Sequence, residues 1–318
     1  MYASFFDVTL DVINIIPLPF KLFSIYIVRR HSPSNMDSLP LFILNVMMWE
    51  LLGSVYAIIE HAVPILPFQC FHVDGVIILF TNSEVVYHII TACLLITRMN
   101  CSLAQFFAFP YRYLILVYPK KILKVSPKWG SAFCASLHAV YSIIFVVMYA
   151  NIVGYYVDYP FLDNRPLKRE IFCFDPNRKL RDACSLAYTV LTLVLVALTV
   201  VFSLLLVRHF RKMIQLYNKQ TLEMHRKFLR SLIIITAVPI LFGLLPHAIG
   251  ALNTVFFPGY PLETYMLTAV MSNLDGTLFY VVCIFTFEPY RQAALKIASQ
   301  MFSRRQVSKV SPVSVLPI

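Results

Sequence analysis

Several ionisable side chains of this chain sit inside long apolar runs, where hydrocarbon makes an unpaired charge costly and a retained one paired or functional. Glu50 and Asp275 each lie about 11 residues from the basic end of their runs, roughly 17 Å deep at helical rise. Equal depth permits a shared polar cluster with Asn273, either a protonation- or ion-sensitive switch or a static hydrogen-bonded pair. Glu84 and His88 are four apart and share a helix face, where they line a ligand cavity or satisfy each other. His247, after Pro246, suits a pocket wall or an interfacial position. Arg98, in LLITRMN, can hold neighbouring helix ends by charge-assisted hydrogen bonds, or simply anchor the end of a span.

Catalysis is not expected, because no nucleophile–base pair or metal cluster lies at one depth. An intramembrane enzyme using Glu84 and His88 is a minor alternative, and no cofactor or metal is implied. Of seven cysteines, Cys70, Cys173 and Cys184 fall on one side of the apolar runs. They allow one disulfide and one leftover thiol; Cys70 with Cys173 is the favoured pair and Cys184 the alternative partner.

The elements that must position these groups are membrane spans. Charged residues are only 14% of the chain against a usual ~25%, and 59% are hydrophobic, so a soluble fold could not cover its own core. That excludes a cytosolic enzyme, and it turns the net charge of +11 from a nucleic-acid signal into a topological one. Seven runs are long enough to cross, at about 8–28, 39–62, 74–98, 129–153, 183–207, 228–252 and 262–286. Twenty Lys and Arg residues fall on one side of these spans and six on the other, all six in the loop between spans 4 and 5. The positive-inside rule then puts the N-terminus outside and the C-terminus in the cytoplasm. Segment 101–118 reads as an interfacial loop or a continuation of the third helix, since a further crossing would reverse the charge bias. Lys21, Glu60 and Asp74 are near enough to span ends to snorkel and receive no role. Pro239 and Pro246 lie seven apart in span 6 and predict a bend, serving as a hinge or as fixed packing. The expected architecture is all-α: a seven-helix transmembrane domain over 1–302 that ends in a short amphipathic helix at about 289–302, then a disordered tail over 303–318.

HRKFLRSLIIITAVPILFGLLP at 225–246 and SNLDGTLFYVVCIFTFEPYR at 272–291 resemble spans 6 and 7 of the nematode serpentine chemoreceptors, most closely the Srh and Sri families. TRMN, after span 3, is more similar to the Asn-Arg-Met type of the Srg-like families, and the rhodopsin-type Asp/Glu-Arg-Tyr and Asn-Pro-x-x-Tyr signatures are missing. The resemblance implies a G-protein-coupled receptor for environmental small molecules or peptides, a heterotrimeric G protein as partner, and residence in sensory-neuron cilia. It gives the central-arginine role to Arg98 or Arg112, with Arg98 preferred from its spacing after Cys70, and the hinge role to Pro239. The basic face of Arg226, Lys227 and Arg230 would meet the G protein, or would only set topology in contact with lipid headgroups. A transporter or channel for a small solute is the main alternative.

Overall fold

The computed structural model describes residues 2–33, 39–65, 69–118, 126–155, 170–176, 178–213, 219–246, 248–250 and 261–308. Among these, seven helical stretches are long and apolar enough to cross a membrane, so the chain is a multi-pass helical membrane protein. The first span, Val8–His31, joins the end of α1 (Tyr2–Ile15) to α2 (Leu18–His31) across a turn at Ile16–Pro17. Then follow α3 (Leu39–Glu60), α4 (Glu84–Val117), α5 (Pro127–Ala150), α6 (Arg178–Met213), α7 (Lys219–Val238), α8 (Pro261–Thr286) and α9 (Glu288–Ser308).

Two of these elements, α4 and α9, differ from the sequence expectation. Residues 74–98 are not one span, because a separate 3-10 turn over Val76–Leu79 and the irregular residues 81–83 intervene, and the helix begins only at Glu84. The helix then runs on through Pro110 to Val117, which settles 101–118 as a continuation of the third span and moves Arg98 from its mouth to its middle. After α8, the helix begins at Glu288 and includes 303–308 of the expected tail; residues 309–318 lie outside the described set.

One end of the bundle carries an antiparallel sheet that helical periodicity does not signal. Strands β1 (Ala62–Ile65), β2 (Cys70–Val73) and β3 (Ile171–Cys173) pair in the order β1-β2-β3, with Cys70 opposite Cys173. Those two cysteines are disulfide-bonded, and Cys184 keeps its thiol. Gly75 follows β2 where the chain presses on the end of α3: a Cβ there would lie 2.2 Å from the Ile59 carbonyl oxygen, so only glycine fits.

Polar contacts hold the outer helices to the bundle. α5 exposes most of its surface to lipid and is tied in by His138, whose Nδ1 lies 2.7 Å from Asn100 Oδ1 on α4 and whose Nε2 lies 3.2 Å from Asn45 Nδ2 on α3. Asn100 also donates to Ser142 Oγ at 2.8 Å. At the opposite end from the sheet, α9 packs on α2, and the Tyr290 hydroxyl lies 2.9 Å from Ser32 Oγ. Burial pushes that phenol up to about 12, so it stays protonated and available to donate.

Candidate functional site

Midway along the bundle, four helices bring two cations and two carboxylates together. α2 buries Lys21, Ser24 and Val28 along one face, so its apolar periodicity carries a lysine inward rather than toward an interface. Lys21 is 0% exposed; its Nζ donates to Ser54 Oγ at 2.6 Å and lies 5.8 Å from the centre of the Tyr280 ring. The Arg98 guanidinium of α4 donates to Asn273 Oδ1 at 2.9 Å and to the Ser272 carbonyl at 3.1 Å, and its Nη1 lies 3.5 Å from Glu50 Oε2. Cys101 Sγ donates to Glu50 Oε1 at 2.9 Å. Asp275 is buried within electrostatic reach of Glu50, Arg98 and Lys21.

Two glycines let these carboxylates lie against bare helix backbone. A Cβ on Gly276 of α8 would sit 2.5 Å from Glu50 Oε2, and one on Gly243 would sit 2.4 Å from Asp275 Oδ2. Gly243 belongs to a π-helical segment, Pro239–Leu244, that continues α7. Pro239 has no N–H to give the preceding turn, and the wider winding accommodates the lost bond. Arg98, Gln105, Tyr188, Gly243 and Asp275 enclose a cavity of about 20 Å³ beside this segment, enough for one water. Asp275 Oδ1, which has no hydrogen-bond partner among the described residues, is the group such a water would satisfy.

The structure therefore brings Glu50, Asn273, Asp275 and Arg98 together with the Pro239 segment. It does not join Glu84 to His88. Glu84 Oε1 accepts the Cys173 backbone N–H at 3.1 Å, while the His88 nitrogens lie 3.1 Å from Tyr149 Oη and 3.2 Å from the Gly154 carbonyl. Both side chains thus fasten α4 to the segments at the sheet end. Arg112 is buried near the far end of α4, and Arg226 and Arg230 are exposed on α7. Lys227 is in the same helix, and His247 lies outside the described residues.

The full length of this arrangement, from α1 into α9, falls within one known pattern: the Srh type of serpentine seven-transmembrane G-protein-coupled chemoreceptor matches residues 2–300. The chain belongs to the Srh family. No curated protein matches it. Of the two families that spans 6 and 7 resembled, the match selects Srh, and TRMN lies in mid-helix in this Srh chain.

Sequence reasoning missed Lys21, Ser54, Cys101 and the glycine partners of the carboxylates. Lys21 was assigned to a span end because the first span was closed at 28; with the helix running to His31 it lies ten residues, about 15 Å, inside. Its spacing from Ser24 and Val28 was the available signal. Glu60 was likewise read as snorkelling, yet it is buried.

Proposed function

We propose that this Srh protein is a chemosensory receptor that takes a small molecule or peptide at its sheet end and passes a helix rearrangement to a heterotrimeric G protein at its basic end. The sheet end is extracellular in this reading, with the N-terminus outside, the C-terminus in the cytoplasm and the sensory cilium as the site of residence. The disulfide supports that orientation, since such bonds persist in oxidising compartments.

The observation that carries the reading is the contact between the π-helical turn and the mid-bundle charges. Asp275 and Arg98 belong to a cluster built by α2, α3, α4 and α8, and the π-helical turn meets Asp275 through Gly243. A change in bend at Pro239 must therefore break or remake that contact, and it moves Arg226, Lys227 and Arg230 relative to Arg112 on α4. Glu84 and His88 link sheet movement to α4, and so to Arg98 fourteen residues further along. Ligand binding at the sheet end would bias this two-state element, which is what a signalling receptor requires.

The test pairs topology with signalling. Epitope tags before Met1 and after Ile318 should be accessible outside and only after permeabilisation, respectively, and odorant-evoked G-protein activation should be lost in Arg98→Ala at equal surface expression. Both termini on one side would remove the receptor reading.

A further inference from the structure

Glu50 and Glu60 lie on the same inward stripe of α3, ten residues apart, and their surroundings are opposite. Glu50 has Arg98 and Lys21 for counter-charges. Glu60, 2% exposed at the sheet end, has no cation set against it among the described residues. Its Oε1 accepts the Thr91 hydroxyl, and its Oε2 has no hydrogen-bond partner there. Tyr149 of α5 and Tyr265 of α8 approach from two further helices.

The neighbouring ionisable groups are engaged elsewhere. His61 has a left-handed backbone, φ 39°, and its Nε2 lies at ion-pair distance, 3.5 Å, from Asp11 Oδ1, with no hydrogen bond among the described residues. His88 spends both ring nitrogens on Tyr149 and Gly154, and Glu84 is held by Cys173. His72 faces Glu170 at 3.3 Å within the sheet. A carboxylate buried without a counter-ion costs several kcal/mol, so it takes up a proton or is complemented by a cation brought from outside.

We infer that Glu60 is the anchor for a ligand bearing a protonated amine. This rests on the receptor reading above and names the chemical class of its ligand. An ammonium supplies the donor that Oε2 lacks, in a wall that includes the Tyr149 and Tyr265 phenols, both within electrostatic reach of Glu60. A neutral or anionic ligand would leave the carboxylate uncompensated. β1 starts two residues after Glu60, and Tyr265 Oη donates to the Ala62 carbonyl at 2.9 Å, so entry of the amine requires that latch between α8 and the sheet to open.

The experiment uses the full-length protein in phosphatidylcholine nanodiscs. Primary amines, alcohols and carboxylates on matched straight-chain, phenylethyl and indolylethyl skeletons are tested by thermal shift and by direct binding. Amines should bind, matched alcohols should bind at least about tenfold more weakly, and Glu60→Gln should remove that preference while Glu60→Asp keeps part of it. Circular dichroism and size exclusion establish that both variants are folded. Alcohols or carboxylates binding as well as amines, or amine affinity unchanged in Glu60→Gln, overturns the amine class and leaves the receptor reading standing. Binding in none of the three series counts against both.

Discussion

Two buried carboxylates on one helix, about 15 Å apart, divide the molecule into a region that balances its own charge and a region that does not. Around Glu50 the chain supplies everything: Lys21, Arg98, the Cys101 thiol and the space opened by Gly276. Around Glu60 it supplies one hydroxyl and aromatic rings. The first arrangement suits a mechanical element, in which rearrangement exchanges partners without ever exposing a bare charge to hydrocarbon. The second suits a place where the missing partner arrives from solution. A molecule that must respond to something outside itself needs both, and α3 connects them.

The largest effect is expected at Lys21. Lys21→Met leaves Glu50 and Asp275 sharing only Arg98, and removal of one member of a buried ion set costs about 3–5 kcal/mol. Surface expression should collapse, and Lys21→Met with Asp275→Asn should restore it, since the pair of changes returns the cluster to neutrality. Gly243→Ala should act on the same cluster without changing its charge. Its Cβ would overlap Asp275 Oδ2, pushing α7 from α8 and raising basal G-protein activation several-fold, an effect that Asp275→Ala combined with Lys21→Met, which keeps the cluster neutral, should relieve.

Melting temperature sharpens the contrast between the two carboxylates. Glu50→Gln should lower it by stranding Arg98 and Lys21 with only Asp275, a loss of about 3–5 kcal/mol. Glu60→Gln should leave it unchanged or raised, because no counter-charge is stranded. The smallest change belongs to a contact outside both regions. Tyr290→Phe removes one hydrogen bond to Ser32 and should cost about 1 kcal/mol with signalling intact, measured by thermal unfolding in detergent.

The seven spans were legible because hydrocarbon imposes one requirement, about 20 apolar residues, that composition alone reveals. The shared depth of Glu50 and Asp275, and the proximity of Asn273, followed from counting along helices of known rise. Boundaries were less legible, and errors there propagated into roles. Closing the first span at 28 sent Lys21 to the interface, and closing the third at 98 sent Arg98 to its mouth. The sheet was invisible because its strands are three or four residues long, and β3 joins β2 from far along the chain, Cys173 lying 103 residues after Cys70. Gly243 and Gly276 carried no signal at all, since what they accommodate is a side chain on another helix.

In this receptor the contact between Gly243 and Asp275 sets the position of the basic end of α7. Paired spin labels at Arg226 on α7 and Tyr118 at the end of α4 report that position by double electron–electron resonance in nanodiscs, without need of a ligand. Gly243→Ala should shift the distance distribution outward by several Å, and adding Asp275→Ala together with Lys21→Met, which keeps the cluster neutral, should return it to the wild-type distribution. Identical distributions in all three proteins would contradict it.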